Sequence, residues 1–257
     1  MKSIPDIAKE YFPSQQICRC GGAHHVCLHC AKCRADEPDE LYDPAKGIAS
    51  IIDATVLKAD ATDDDIANLC AMAAEHHTAS VCINSHFIPY ARKILDGAVK
   101  ICTVINFPLG AGSRKAVKKE AKAVLEAGID ELDMVQNLAA LRSGDWQMAM
   151  ETIKSVAIQC LENSVLLKVI IETSFLTREQ MILSCLISKK AGAKYVKTST
   201  GFGTSGAKAE DIALMREVVG PKLGVKASGG IRDKDSANQM IAAGASRIGA
   251  SSVSALL

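Results

Sequence analysis

The sequence predicts an α/β protein of the (β/α)8 TIM barrel class with a Cys-rich N-terminal extension, and three observations lead to this prediction. Eight short apolar or β-branched runs alternate with helical patterns from residue 48 onward. A glycine that ends a helical pattern and leads directly into a strand recurs at Gly128, Gly192 and Gly244. These glycines lie 64 and then 52 residues apart, about two strand–helix units each. Eight such units in about 210 residues fit this barrel.

The predicted strands are short runs bounded by turn residues or glycines. They cover residues 48–57, 79–84, 99–107, 131–137, 165–173, 194–201, 224–230 and 247–251. Thr62 and Thr177 are predicted to cap the helices that follow the first and fifth strands, and Gln180 completes a capping box with Thr177. A doubly wound open sheet is the alternative, weakened because no G-x-G-x-x-G follows the first strand.

Residues 1–46 differ from the rest and are predicted to form an extension and linker before a barrel domain at 47–257. The segment holds Cys18, Cys20, Cys27, Cys30 and Cys33, with His24, His25 and His29 among them. Close cysteines with histidines favour a metal over disulfides in a cytosolic chain, either zinc or an iron–sulfur cluster. A ferredoxin-like run would place a fourth cysteine where Glu37 stands. A flexible thiol-rich extension and a redox or docking segment remain alternatives.

Composition excludes several functional classes. The net charge of +1 gives no electrostatic reason to expect nucleic acid as a partner. No stretch reaches the roughly 20 apolar residues of a membrane span, and the N-terminus lacks the apolar core of a secretory signal. Five cysteines in apolar helix or strand patterns favour a reducing compartment, so the cytoplasm is expected. A homo-oligomer is an open alternative, since the sequence does not determine the assembly.

Three lysines, Lys168, Lys197 and Lys226, lie inside otherwise apolar strands. Burying an ammonium costs several kcal/mol unless it is paired or neutralised. One interpretation is that each stem crosses the barrel rim and the amine reaches water. The other is a Schiff-base lysine, kept as a free amine near neutral pH by a neighbouring cation. Lys197 and Lys226 on adjacent strands suit that second interpretation.

The internal repeat places Asp133 and Lys197 at the same step of their strands, so both are expected to face the same way at similar height. Asp133 is a candidate proton carrier or an ion-pair partner that holds a lysine, and these roles are compatible. Asp53 ends the first strand, and a supporting role is expected for it.

Glycine and serine follow the last two strands, at Gly229-Gly230 and Ser251-Ser252. The loops after strands seven and eight are the usual phosphate site of this barrel, because glycines let backbone N–H groups approach an anion. Two ordinary tight turns are the alternative interpretation.

Several motifs resemble one enzyme family. They are D-x-T-x-L-K at 53–58, S-V-C at 80–82, C-T-V-I-x-F-P-L-G at 102–110, L-D-M-V at 132–135, L-K-V-I-I-E-T at 167–173, V-K-T-S-T-G-F-G at 196–203 and G-V-K-A-S-G-G-I-R at 224–232. In this order they resemble deoxyribose-phosphate aldolase, from about residue 48 to the end. The N-terminal segment is not covered.

The resemblance implies a class I aldolase that reversibly cleaves 2-deoxy-D-ribose 5-phosphate to acetaldehyde and D-glyceraldehyde 3-phosphate, with no cofactor for catalysis. It implies that Lys197 forms the Schiff base, Lys226 favours its free amine, and Asp133 transfers protons through a water. The residues implied at the substrate are Asp53, Cys82, Lys168 and Thr200, with Gly201, Gly229, Gly230, Ser251 and Ser252 at the phosphate. A non-catalytic sugar-phosphate or metal-sensing protein is the alternative of a different class.

One departure from the family pattern bears on the site. Asn106 stands where many relatives have glycine beside the Phe107-Pro108 pair, and its side chain is expected to narrow the mouth of the barrel.

Overall fold

A computed structural model describes residues 2–13 and 44–257. The five cysteines of the predicted metal site lie outside these ranges, so the metal stays a prediction. The domain boundary at residues 46/47 also stays a prediction. No helix in the described ranges is long and apolar enough to cross a membrane.

Eight parallel strands form a closed barrel in which each strand pairs with the next and the last pairs with the first. They are β1 Ile52–Val56, β2 Ser80–Ile83, β3 Lys100–Ile105, β4 Glu131–Val135, β5 Leu166–Ile170, β6 Tyr195–Lys197, β7 Gly224–Ser228 and β8 Arg247–Ala250. Each lies within a predicted run, so the predicted barrel class and strand order are confirmed. The predicted runs were too long, because most of them continue past the strand into the neighbouring loop.

Nine α-helices are present in the described ranges, and eight of them cover the barrel. They are α1 Ile4–Tyr11, α2 Asp63–His76, α3 Ile88–Leu95, α4 Arg114–Glu126, α5 Leu138–Arg142, α6 Trp146–Glu162, α7 Arg178–Ala191, α8 Ala209–Val219 and α9 Lys234–Ala242. Short 3-10 turns cover Pro44–Lys46, Ile48–Ile51, Ser85–Phe87 and Thr173–Phe175.

The predicted helix caps are present. The hydroxyls of Thr62 and Thr177 each accept a hydrogen bond from the backbone N–H three residues later, and both form capping boxes. Gly192 ends α7 with a φ of 101°, a left-handed conformation that glycine adopts without strain. The repeat of helix, glycine and strand is therefore a real structural repeat.

The outward side chains of the strands pack against the helices in one large hydrophobic core. α1 belongs to that core, because Ile4, Ile7 and Phe12 are buried and α1 packs on α7. The Phe12 ring also meets Trp146 edge-on at 5.3 Å.

The interior of the barrel is filled in levels, since every second side chain of a strand points inward. The level nearest the strands' N-terminal ends holds Ser80, Glu131, Tyr195 and Arg247. The middle level holds Asp53, Cys102, Lys168 and Lys226. The level nearest the C-terminal ends holds Cys82, Asp133, Lys197 and Gly249. All are buried, so the barrel interior carries charges where apolar side chains are usual.

Candidate active site

Asp133, on β4, is the centre of the charged interior. Lys168 Nζ donates a hydrogen bond to its Oδ1 at 2.8 Å, and Lys197 Nζ and Lys226 Nζ each donate to Oδ2 at 2.8 Å. Burial alone would raise the pKa of Asp133, but the three ammonium groups outweigh burial and hold that pKa well below its ordinary value. Lys197 Nζ and Lys226 Nζ each lie 2.8 Å from Oδ2, so the two nitrogens are no more than 5.6 Å apart.

The interpretation in which the lysine amines reach water is wrong for Lys168 and Lys226. Lys168 and Lys226 are completely buried, and Lys197 is 2% exposed. Their positive charges are compensated inside the barrel by carboxylates.

Lys168 and Lys226 are held more firmly than Lys197. Lys226 Nζ lies 2.5 Å from Asp53 Oδ2 in addition to its contact with Asp133. Lys168 Nζ lies 2.5 Å from Glu131 Oε2, 2.8 Å from Asp133 Oδ1 and 3.5 Å from Asp53 Oδ2. Burial opposes the charged form of both amines, yet the carboxylates raise the pKa of Lys168 and of Lys226 above the ordinary lysine value.

Arg247 supports the cluster from the N-terminal end of the barrel. Its Nη1 donates to Asp53 Oδ1 at 2.8 Å and to the carboxylate of Glu131 at 3.3 Å. Four basic groups (three lysines and Arg247) therefore meet three carboxylates (Asp53, Glu131 and Asp133), so one positive charge is uncompensated when all are ionised.

The three lysine amines differ in the number of carboxylates that they contact. Among the described residues Lys197 contacts a single carboxylate, whereas Lys226 contacts two and Lys168 three. Lys197 is therefore the amine that the fewest ion pairs hold in place.

Lys197 also lines a cavity of about 220 Å³ at the C-terminal ends of the strands. The cavity wall includes Thr200, Gly201, Gly229, Gly230 and Ser251. Thr55, Leu57, Ser228, Ile231, Arg232, Gly249 and Ala250 complete the lining. An amine at the bottom of a pocket rimmed by glycines and hydroxyls can attack a carbonyl while an anion binds above it.

A family model described as DeoC/LacD family aldolase matches residues 48–257. The chain belongs to the DeoC/LacD aldolase family. Deoxyribose-phosphate aldolase of Brevibacillus brevis is 51% identical over 204 residues, which cover 78% of this chain and 90% of that protein. Its counterpart in Bacillus cereus is 50% identical over 211 residues, 82% of this chain and 94% of that protein.

A solved structure of deoxyribose phosphate aldolase from Aeropyrum pernix, described as a unique tetramer, superposes with a TM-score of 0.77. The two chains are 33% identical, and the superposition covers 85% of this chain and 92% of that one. The N-terminal cysteines precede the part that the DeoC/LacD model matches.

The structure brings most of the predicted site residues of this aldolase together, at two depths. Asp53, Cys82, Lys168 and Lys226 lie fully buried beneath the cavity and are not part of its lining. Ser252 is exposed and also absent from the lining. The buried residues are therefore placed to support Asp133 and Lys197.

Glu172 is a residue to which the sequence assigned no role. Its buried Oε2 accepts hydrogen bonds from Thr200 N at 3.0 Å and Thr200 Oγ1 at 2.5 Å. Glu172 itself has a φ of 53°, a conformation that is strained for a residue with a side chain. These hydrogen bonds hold the loop that follows β6, and β6 is the strand that carries Lys197.

The two loops that carry glycines at the cavity pack directly on each other. A Cβ atom at Gly206 would overlap the carbonyl oxygen of Gly229, so only glycine fits at position 206. Ala207 N donates to the same oxygen at 3.0 Å. This contact fixes the loop after β6 against the loop after β7.

The expectation that Asn106 narrows the mouth is wrong. Asn106 is buried, its Nδ2 donates to Val135 O at 2.8 Å, and its Oδ1 accepts from Gly112 N at 2.8 Å. Its φ of 52° lies in the left-handed region, which favours glycine and asparagine. The side chain ties the loop after β3 to the end of β4.

Cys82, Cys102 and Asp133 form the one group in the described ranges with spacing suited to a metal ion, within 4.8 Å of one another. The surroundings do not fit a cation. Asp133 already binds three ammonium groups, and burial raises the pKa of the Cys102 thiol, which donates to Asp133 Oδ1 at 3.2 Å.

Proposed function

We propose that this aldolase cleaves 2-deoxy-D-ribose 5-phosphate reversibly to acetaldehyde and D-glyceraldehyde 3-phosphate through a Schiff base on Lys197. The observation that carries the proposal is the position of Lys197, at the bottom of an open cavity and within 2.8 Å of Asp133. The substrate is inferred from the names of the relatives. The reaction mechanism is inferred from the buried charged side chains around Lys197.

The first step is attack of the free Lys197 amine on the C1 aldehyde of the open-chain sugar. Loss of water from the resulting carbinolamine gives a protonated imine. Lys226 stays charged between Asp53 and Asp133, and a fixed positive charge so close disfavours a second one on Lys197.

The second step breaks the C2–C3 bond. A base takes the proton of the C3 hydroxyl, the bond electrons move to C1–C2, and the iminium nitrogen accepts them as an enamine. Asp133 is the carboxylate at the reacting nitrogen, kept ionised by its lysines, and we assign proton transfer to it. Protonation of the enamine at C2 and hydrolysis of the imine release acetaldehyde.

The phosphate of the substrate is assigned to the cavity rim. Gly201, Gly229, Gly230 and Ser251 line the cavity, and glycine backbones allow N–H groups to approach phosphate oxygens. Arg232, also on the lining and exposed, adds positive charge. Ser252 follows Ser251 of this wall in the sequence and is assigned as a further hydrogen-bond donor to the phosphate.

Reductive trapping tests the Schiff base. Borohydride added with substrate should fix a two-carbon or five-carbon adduct on the peptide that contains Lys197, and Lys197→Met should abolish both the adduct and turnover. Lys208→Met, an exposed residue on the loop before α8, is the matched control and should keep both. An adduct on another lysine, or turnover by Lys197→Met, would overturn the assignment.

For the N-terminal segment we propose a structural metal bound by Cys18, Cys20, Cys27, Cys30 and Cys33, with zinc or an iron–sulfur cluster as the candidates. The support is the cysteine spacing, since four or more thiolate and imidazole ligands can build a tetrahedral site. Elemental analysis of the full chain should find about one metal site per chain. Replacing Cys27, Cys30 and Cys33 with serine should remove it, whereas Cys160→Ala in the barrel should not.

We further propose that residues 47–257 form the catalytic domain, that the chain assembles as a homo-oligomer, and that it acts in the cytoplasm. The tetramer of the Aeropyrum pernix protein supports assembly, and the five free buried thiols of the described barrel residues suit a reducing compartment. Light scattering at micromolar concentration tests the assembly, and a monomer there would contradict it.

A further inference from the structure

The opposite end of the barrel contains a second cavity, of about 290 Å³, which we call the floor cavity. Its wall includes Arg247 and Tyr195, the first residues of β8 and β6, and Ala79 and Ser246, which immediately precede β2 and β8. It therefore lies at the N-terminal ends of the strands, away from the cavity above Lys197.

The floor cavity is lined by basic and hydroxyl groups. Lys46, His77 and Lys100 contribute exposed basic side chains, and buried Arg247 adds a guanidinium. Thr78 and Ser246 add hydroxyls that are more than nine-tenths buried. Among the described lining residues none is a carboxylate.

The carboxylates at this end of the barrel are already paired. Glu131 contacts Arg247 and Lys168, and lies 3.9 Å from Lys100 Nζ. Asp130 accepts a hydrogen bond from Ile101 N at 2.7 Å and contacts Arg92. Neither lines the cavity, so the positive charge that faces it has no lining anion to balance it.

Arg247 connects the floor cavity to the charged interior of the barrel. Its guanidinium is one of the four basic groups set against three carboxylates, and it is the one that also lines the floor cavity. An anion bound there would interact with this guanidinium at short range, and burial would keep that interaction strong.

We propose that the floor cavity binds a phosphate dianion, either free or as a phosphate monoester. A phosphate carries about −1.5 to −2 charges near pH 7 and accepts several hydrogen bonds, which matches the four basic side chains of the lining and their adjacent hydroxyls. A carboxylate would supply one charge and fewer acceptors. This site is separate from the substrate site proposed above.

A neighbouring cavity distinguishes the two forms of the ligand. It measures about 380 Å³, shares Lys100 and Tyr195 with the floor cavity, and continues along Leu161, Val165 and Leu166. A monoester with an apolar body can place its phosphate in the floor cavity and its body against these side chains. Free phosphate gains nothing from them.

Calorimetry on the full chain tests the proposal, with inorganic phosphate and phenyl phosphate as probes. Ser251→Asp places a negative charge at the substrate cavity and leaves only floor binding to be measured. In that background Lys46→Gln with His77→Gln should weaken phosphate binding about tenfold or more, the loss of a charge-assisted contact. Lys119→Gln, exposed on α4, is the control and should bind as the background does.

The comparison of probes assigns the form of the ligand. Tighter binding of phenyl phosphate that is lost in Leu161→Asp identifies a monoester, whereas equal binding of the two probes identifies free phosphate. Leu161 is 78% exposed, so this replacement should leave the fold intact.

Three outcomes would overturn the proposal. They are no binding to Ser251→Asp, unchanged binding after the Lys46 and His77 replacements, and phosphate-induced amide shifts confined to the substrate cavity. Amide shifts of Ala79 and Ser246 would support it without relying on any variant at the floor. If Lys197 failed to form the Schiff base, the calorimetric result would stand, since it measures no turnover.

Discussion

Replacing Asp133 with asparagine removes the carboxylate to which three lysines donate at 2.8 Å and changes almost nothing in shape. The cluster then holds four basic groups against two carboxylates, so its excess positive charge doubles from one to two. Removing one partner of a buried ion pair costs about 3–5 kcal/mol, and loss of a general acid–base group slows a reaction about 10²–10⁴-fold. We expect both effects.

The assay pairs urea unfolding with retro-aldol kinetics. Because the pKa of Asp133 is lower in the folded chain than in the unfolded chain, its stabilisation is complete above about pH 4 and is lost as the pH falls further. The gap between wild type and Asp133→Asn should therefore be full at neutral pH and shrink in acid.

A matched control lies three residues away. Asp130→Asn makes the same chemical change at a partly exposed carboxylate that faces Arg92 at 3.3 Å. A surface pair contributes about 0–1 kcal/mol, so this variant should lose little stability and no turnover. A kcat for Asp133→Asn within tenfold of wild type, or equal destabilisation by the two variants, would refute the central role of Asp133.

Three further predictions concern the frame of the site and its thiols. Asn106→Ala should lower the free energy of unfolding in urea by about 2–3 kcal/mol, and Asn106→Gly by less, because glycine tolerates the positive φ. Gly206→Ala should raise KM at least tenfold with a smaller change in kcat, since its Cβ would overlap Gly229 O and displace the phosphate loops, whereas exposed Ser205→Ala should not. Burial raises the pKa of Cys160 to about 12, so iodoacetamide at pH 8 should label it only in urea, as mass spectrometry would show.

The sequence predicted the barrel well because strand, helix and glycine recur with a regular period. It predicted strand ends poorly, and β6 shows the reason. Thr198 and Thr200 are β-branched like Val196 of β6. However, the Thr198 hydroxyl donates to Ser228 O, and Thr200 N donates to Glu172. These hydrogen bonds join residues that are far apart in the sequence, so a local sequence pattern does not reveal them.

For the site, the sequence predicted the three lysines, Asp53 and Asp133 but missed Glu131 and Arg247, which complete the buried set of charges. Glu131 and Arg247 each stand two positions before a residue that faces the interior, Asp133 and Gly249. Alternation along a strand could therefore have placed both inside the barrel. Their pairing could not be predicted, because strands β4 and β8 lie far apart along the chain.

The shared hydrogen bonds of the buried charges have a consequence for how the sequence can vary. Asp133 forms ion pairs with three lysines, and Asp53 forms ion pairs with two lysines and an arginine. A substitution at one of these positions changes how well substitutions at the others are tolerated. The reason is that the loss of any one of these charges changes the net charge of the buried interior. Viable lineages should therefore retain the set or exchange an acid and a base together, so that Lys168→Met with Glu131→Leu is tolerated better than either change alone.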